Sequence, residues 1–413
     1  AEDLGALPVA AREAALLERL QALAGTPIDL ARAPLFHARL FRMADDDHVF
    51  FFCPHHIVWD GWSFDILYAE MAALYAAFRG GREPALEPLA FDYGDFAAWH
   101  RDWLKGAELA AQLAHWKGLL AGTLEPLALP ADHPRPAEMS GRGDTTWLAM
   151  PAGIAESARR LAREADATPF MVLLSAYVLT LHEFTGQREI VVGVPVRGRA
   201  HEALERIMGL FVNALPLRLA VTPGMPFRAF LSAVRERVTD AFRHPDVPFE
   251  ELVRELGVPR DRSRFPVYQA LFSFQDARER TRRWGDLDHD MIHVMQPGLA
   301  EDLSLWLMER DEGLVGGLAF NTDILVAKSA ERVRDRFAHV LGHVLAHPEC
   351  RVGEVLCGNP QDLQGGPPVK AIFIQNTNPV SVAPGFSLGN VHVMAGEPRV
   401  FEAMVASVLP GLT

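Results

Sequence analysis

The sequence predicts a mixed α/β protein, α+β in its layering, in which sheets are covered by helices. Three observations carry this prediction. Strand-like and helix-like stretches alternate along the chain, and each half holds both in similar amounts, which suits two like-sized lobes facing a cleft. The run Val49-Phe50-Phe51-Phe52 has no polar break, the mark of a strand buried on both faces. It leads into a helix whose apolar residues Phe64, Leu67, Tyr68, Met71, Leu74, Tyr75 and Phe78 recur at i, i+3, i+4 and i+7. With 413 residues, and ~150 residues for an average domain, there is room for two or three folding units.

In chain order, residues 10–24 read as a helix closed by Gly25-Thr26-Pro27. Residues 36–43 and 49–53 read as strands, and Ala44-Asp45-Asp46-Asp47 between them as a hairpin turn. The next helix ends at Gly80-Gly81, so its positive N-terminal end points back at residues 53–63. Residues 91–96 open a second helical stretch that runs through Trp99, Trp103 and Trp116, and the proline-rich, charged segment 126–136 reads as a linker. Beyond it come a strand at 146–150, helices at 154–165 and 169–184, and strands at 189–194 and 215–221. Helices at 226–242 and 249–256, strands at 267–275 and 314–320, and a long helix at 330–346 complete the pattern. No short internal repeat is present.

Composition narrows the function. A net charge of −13 argues against a general nucleic-acid binder, because neutralising phosphates needs a basic surface. The basic run Arg278-Glu279-Arg280-Thr281-Arg282-Arg283 is the best candidate for docking an acidic partner, and a solvated loop is its blander reading. Cys53, Cys350 and Cys357 lack zinc spacing and fit free thiols in a reducing compartment. No run of ~18 apolar residues and no signal peptide is seen, so a cytoplasmic protein that does not engage a membrane is expected.

The stretch Cys53-Pro54-His55-His56-Ile57-Val58-Trp59-Asp60-Gly61-Trp62-Ser63 concentrates proton-handling groups where the chain changes direction. Taken bare it has three readings. The histidines are structural, or they bind a metal, or one of them aims into a cleft for acid–base work while the other packs and Asp60 fixes the local structure. Metal is the weakest, since residues adjacent on a strand point to opposite faces and no third ligand stands at a zinc spacing nearby. Cys53, in an apolar strand, reads as a buried inert thiol, and Trp59 and Trp62 as packing or tunnel lining.

Residues 55–61 are similar to the His-His-x-x-x-Asp-Gly motif of the condensation domains of nonribosomal peptide synthetases, within the chloramphenicol-acetyltransferase-like acyltransferase superfamily. Four further stretches match that family in its order. Phe91-Asp92-Tyr93-Gly94-Asp95-Phe96-Ala97-Ala98-Trp99 resembles Tyr-x-Asp-Tyr-x-x-Trp, and Gly209-Leu210-Phe211-Val212-Asn213-Ala214-Leu215 resembles Gly-x-Phe-Val-Asn-x-Leu. His244-Pro245-Asp246-Val247-Pro248-Phe249-Glu250 resembles His-Gln-Asp-x-Pro-Phe-Glu, with Pro245 in place of Gln. Arg260-Asp261-Arg262-Ser263-Arg264-Phe265-Pro266-Val267-Tyr268-Gln269 resembles Arg-Asp-x-Ser-Arg-x-Pro-Leu-Phe-Gln. The resemblance runs from about residue 1 to about residue 360.

The resemblance implies a pseudo-dimer of two chloramphenicol-acetyltransferase-like lobes around a central tunnel, with His56 at its middle. It implies amide formation between a carrier-bound acyl or peptidyl thioester and a carrier-bound aminoacyl acceptor. No cofactor and no metal is expected in the domain itself, since the substrates ride on the phosphopantetheine arms of carrier proteins and an adenylation domain of the same synthetase supplies them. His56 is the expected group that orients or deprotonates the attacking amine. His55 is expected as support within the lobe. Asp60 is expected to pair with an arginine of the second lobe, Arg199, with Arg197 as its rival, and Asn213 belongs to the supporting motif. The Gly61 amide could face a developing oxyanion, or Gly61 could simply serve a turn. The alternatives are an epimerisation domain of the same superfamily and a non-catalytic relative that binds carriers. A cyclising variant is not expected, because that group replaces the histidines by acidic residues.

The resemblance divides the chain into a first lobe over 1–142, a second over 143–360 and a tail over 361–413. The family's opening Gln-x-Arg-x-Trp-like and Arg-His-Glu-x-Leu-Arg stretches are missing, so the first lobe reads as incomplete and the chain by itself as inactive. Residues 367–384 look like a short piece of a molybdopterin oxidoreductase, and 391–409 weakly like a molybdopterin-binding segment. The tail reads as an unrelated end, foreign, disordered or misassembled, and no molybdenum cofactor is inferred from it.

Overall fold

The computed structural model describes residues 1–356, apart from 200, 277–282, 286, 290–291, 293 and 295–297, together with the backbone of 392–394. The tail 361–413, apart from those three residues, lies outside the described residues, as do Cys357 and most of the basic run 278–283. The chain opens with β1 (Glu2–Asp3), α1 (Val9–Ala24), β2 (Phe36–Arg42) and β3 (His48–Pro54). One 3-10 turn, His56–Val58, separates β3 from α2 (Gly61–Arg79), which is followed by α3 (Tyr93–Trp103) and α4 (Ala107–Leu119). Then come β4 (Gly143–Pro151), α5 (Ala152–Glu164), α6 (Pro169–Thr185), β5 (Glu189–Val196), β6 (Asn213–Ala220), α7 (Phe227–Ala241) and α8 (Phe249–Leu256). The last elements are β7 (Ala270–Asp276), the short pair β8 (Arg283–Trp284) and β9 (Leu287–Asp288), β10 (Leu303–Arg310), β11 (Gly313–Asn321), α9 (Ala327–Ala346), α10 (Val352–Leu356) and β12 (His392–Met394).

The strands form a smaller sheet in the order β1-β2-β3-β12 and a larger one in the order β4-β11-β10-β7-β5-β6. In the smaller sheet β3 is buried along its whole length because it is covered on both faces. Phe50 and Phe52 meet Phe64, Leu67 and Met71 of α2, while Val49, Phe51 and Cys53 meet Leu16 and Leu20 of α1. Alternate side chains point to opposite faces, so a strand covered twice is apolar over 49–53, with His48 buried at its start. The larger sheet carries α5, α6, α7 and α9 around one core, in which residues 171–182 of α6 are all buried. No single helix among the described residues is long and apolar enough to cross a membrane.

Two departures from the sequence reading bear on the site. β10 lies inside the larger sheet, antiparallel to β11 and parallel to β7, where the sequence pattern predicts no strand. Its Leu303-Ser304-Leu305-Trp306-Leu307-Met308 does alternate, but Leu and Met without a β-branched residue carry helical rather than strand propensity. The segment expected as a linker is strapped along the larger sheet instead. Gln269 Oε1 accepts the Leu127 amide, Arg135 grips both Asp302 oxygens at 2.9 and 2.5 Å, and the Asp132 amide donates to the Ile324 carbonyl. Leu109, Trp116, Leu120 and Leu127 pack into the same core, so α4 sits on the larger sheet although it precedes that sheet in the chain.

Candidate active site

The turn that carries the histidines is built from the end of β3 outward. β3 finishes at Pro54, and the His55 amide donates to Leu35 at the start of the hairpin, which ends the strand pairing. His55 caps the 3-10 turn, its Nδ1 accepting the Ile57 amide at 3.1 Å. A ring nitrogen that accepts carries no proton, so neutral His55 holds its hydrogen on Nε2. His56, Ile57 and Val58 are exposed, and among the described residues the His56 imidazole has no hydrogen-bond partner. Trp59 turns inward against Phe52 and Phe64, fixing the turn to the core.

Asp60 is the structural centre of the region. It caps α2, its Oδ1 accepting both the Ser63 amide at 2.9 Å and the Ser63 hydroxyl at 2.8 Å. Oδ2 accepts Arg199 Nη1 at 2.7 Å and the Phe211 amide at 3.0 Å. Arg199 is itself fully committed. Its other donors reach Asp60 Oδ1 and the carbonyls of Ile207 and Leu204, and its guanidinium lies over the Phe211 ring. Both side chains are at most 1% exposed, and a buried ion pair persists only when its remaining lone pairs and protons are satisfied, as they are here.

Arg197 takes a different place. It pairs with Glu205 and lies 3.4 Å above the centre of the Trp62 ring, whose Nε1 donates to the Glu205 carbonyl. Burial first, and then the charge of Arg199, push the Arg197 pKa below its usual value. Gly198 separates the two arginines at φ +66°, where an added Cβ would stand 1.8 Å from the Phe211 carbonyl oxygen. Only glycine lets the backbone turn there.

The other motifs meet at the same segment. Tyr93 Oη donates to the Leu210 carbonyl at 2.7 Å, and the Tyr93 ring stands edge-on to Phe211. Burial raises the pKa of that phenol. Asn213 Nδ2 donates to the carbonyls of Pro245 and Val247 at 2.8 and 2.6 Å, while its Oδ1 accepts the Phe249 amide. Asn213 thus fixes residues 245–249 at the start of α8 and stays out of the Asp60 centre. Gly61 opens α2, and a Cβ there would meet only the Gln275 amide at an ordinary 3.5 Å, so packing does not require glycine.

Sequence reasoning missed several members of this network: Ser63, the Gly209 and Phe211 amides, Tyr93 Oη and the Trp62–Arg197 contact. Ser63, three residues after Asp60, is the one that a capping pattern could have flagged. The Gly209 amide on the Ser63 hydroxyl and the Phe211 amide on Asp60, 146 and 151 residues from their partners, carry no signal in the sequence.

Two sheets flanked by helices, joined at a histidine turn by a buried carboxylate–guanidinium pair, define a two-lobed, chloramphenicol-acetyltransferase-like acyltransferase fold. The model of the family described as "Condensation domain" matches residues 4–363, and the chain belongs to that family, the condensation domains of nonribosomal peptide synthetases. It is 37% identical over 348 residues to one of the linear gramicidin synthase proteins of Brevibacillus parabrevis, a match that takes in 84% of this chain and 4% of that protein. The chain therefore spans a small fraction of the length of this curated relative. Among solved structures, the X-domain from teicoplanin biosynthesis superposes with a TM-score of 0.75 at 28% identity, over 82% of this chain and 78% of the other. The first condensation domain of the calcium-dependent antibiotic synthetase, solved with a substrate analogue, gives 0.72 at 27% identity, over 85% and 78%.

Proposed function

We propose that this domain forms an amide bond between a carrier-bound acyl or peptidyl thioester and a carrier-bound aminoacyl acceptor. The observation that carries the reading is the contrast at the turn: His56 is exposed and unengaged among the described residues, while Asp60, Ser63 and Trp59 around it are locked. A locked frame with one free imidazole suits a reaction that needs positioning and a single proton acceptor. The acceptor nitrogen attacks the thioester carbonyl, His56 orients that amine and takes its proton, the C–S bond breaks as the C–N bond forms, and the thiolate leaves and is reprotonated. The Gly61 amide, at the N-terminus of α2, is a donor for the oxyanion that develops on the carbonyl. His55 holds the turn, and Asp60, Arg199 and Asn213 hold the frame.

In this reading the reaction draws on no cofactor held by the domain. Its partners are the donor and acceptor carrier proteins, whose phosphopantetheine arms bring the substrates, and the adenylation domain of the same synthetase. The test is condensation by the synthetase that carries this chain, with both carriers loaded and the products followed by intact-protein mass spectrometry. His56→Ala is expected to cut amide formation at least ~100-fold. A parental rate in that variant removes His56 from the mechanism. Exchange of the donor's α-proton for deuterium without amide formation would instead mark an epimerisation domain. Carrier binding with neither reaction would mark a non-catalytic relative.

A further inference from the structure

A second cluster of titratable side chains stands where α4 crosses the end of α7. His115 comes from α4, Asp240 from the last turn of α7, and His244 follows one helical turn later. One ligand atom from each lies within 4.8 Å of the other two, and all three residues are half-buried. We propose that His115, Asp240 and His244 form a binding site for one divalent transition-metal ion of the zinc type.

The geometry supports this at three points. His115 Nε2 lies 3.4 Å from Asp240 Oδ2, and two ligands on a tetrahedral ion with bonds of about 2.0–2.1 Å stand about 3.3–3.4 Å apart. Second, His115 Nε2 is buried without a hydrogen-bond partner, an atom whose lone pair or proton is unsatisfied. Third, His244 Nδ1 lies 3.0 Å from the Asp240 carbonyl oxygen. A carbonyl can only accept, so Nδ1 carries the hydrogen and Nε2 is left with its lone pair. A ligating histidine that donates its other N–H to a backbone carbonyl is the usual supporting arrangement around a metal. Two imidazoles and one carboxylate suit a late first-row divalent ion, and the fourth position falls to water.

Two features must yield when the ion enters. The rings of His115 and His244 stack at 3.6 Å and 16°, so their in-plane lone pairs run nearly parallel, and the rings have to tilt apart. That rotation is about a broad sp³–sp² torsion and costs little. Arg237 Nη1, 3.9 Å from Asp240 Oδ2, has to swing outward, which its partial exposure permits. Trp116 Nε1 already donates to the His244 carbonyl, and Gln112 exchanges two hydrogen bonds with Asp246. The ion would close the joint between α4 and the segment that Asn213 holds.

The test uses the whole chain, stripped with EDTA and titrated with Co²⁺ as a spectroscopic probe. One equivalent is expected, with a visible d–d band that Zn²⁺ abolishes and with a higher Tm in the presence of Zn²⁺. His115→Ala and His244→Ala are each expected to weaken binding at least about 100-fold. His339 and His343 on α9, with His347 just past its end, are the neighbouring histidines tested as a competitor, and His339→Ala with His343→Ala is expected to leave binding unchanged. Absence of the band in the parent, its survival in the His115 and His244 variants, or its loss in the α9 variant overturns the proposal. Should the first two variants not fold, carbethoxylation of the parent decides instead. Zn²⁺ must shield His115 and His244 from the reagent, and equal labelling with and without Zn²⁺ sinks the site.

Discussion

Asp60 and Arg199, 139 residues apart in sequence, meet through two hydrogen bonds of 2.7 and 3.2 Å in a place that water does not reach. The carboxylate of this pair also caps the helix that begins beside the histidine turn. One side chain therefore sets both the local geometry of the turn and its attachment to residues 204–211.

Asp60→Asn should destabilise the protein by about 3 kcal/mol, because it leaves the Arg199 guanidinium buried and unpaired. His56→Ala, at an exposed position, should leave the denaturation midpoint close to parental. Urea unfolding of both variants checks this. In a double-mutant cycle, Arg199→Met on top of Asp60→Asn should cost much less than the sum of the single changes. Additive costs would mean that the pair does not act as a unit.

Gly209→Ala should cost about 1–3 kcal/mol, since the new Cβ would stand 2.2 Å from the Tyr93 ring. Shrinking that ring should restore the loss. Thermal melts of Gly209→Ala in a Tyr93→Ala background test the contact, and the alanine should there be close to neutral relative to its own background.

Asn213→Ala removes two donors and one acceptor from residues 245–249 and should cost about 2–3 kcal/mol. The effect should be local first. Hydrogen exchange at the Phe249 amide is expected to rise before exchange in α6 does, and uniform acceleration across both would contradict the clamp.

Burial pushes the Glu301 carboxyl up to about 7, with the Asp302 charge adding to the effect and a backbone hydrogen bond opposing it. A raised folded-state pKa means that this group's stability contribution is full below the unfolded value of 4.5 and is lost as pH rises through about 7. Glu301→Gln should therefore be more stable than the parent above pH 7, by about 3 kcal/mol, with the gap closing toward pH 4.5. Denaturation curves at several pH values read the crossover directly. A constant offset would show that the carboxyl does not titrate in this range.

The elements with strong period were legible in the sequence, and the reasons are visible in the packing. β3 announced itself because both its faces are covered, and α2 because its Leu67, Met71 and Leu74 all meet one sheet. β10 was not legible, because its leucines and methionine favour a helix until β7 and β11 flank them. At the candidate site, the histidine turn and its carboxylate could be read from their spacing, and their resemblance to a family pointed to Arg199 rather than Arg197. The amides of Gly209 and Phe211 could not be read, because a backbone donor looks the same at every position. The strap over 126–136 was hidden for a related reason. Its prolines and charges describe a segment without regular structure, and the partners that hold it, Gln269, Asp302 and Ile324, lie far along the chain.

That strap has a consequence for the order in which the protein matures on the ribosome. Leu127, Asp132 and Arg135 leave the exit tunnel long before Gln269, Asp302 and Ile324 have been translated. At synthesis rates of about 5–20 residues per second, the interval is on the order of 10–40 s. Trp116 and Gln112 wait in the same way for His244 and Asp246. For that time the nascent chain exposes an indole and several leucines whose only seats are still unwritten, and it is then that a chaperone has most to hold.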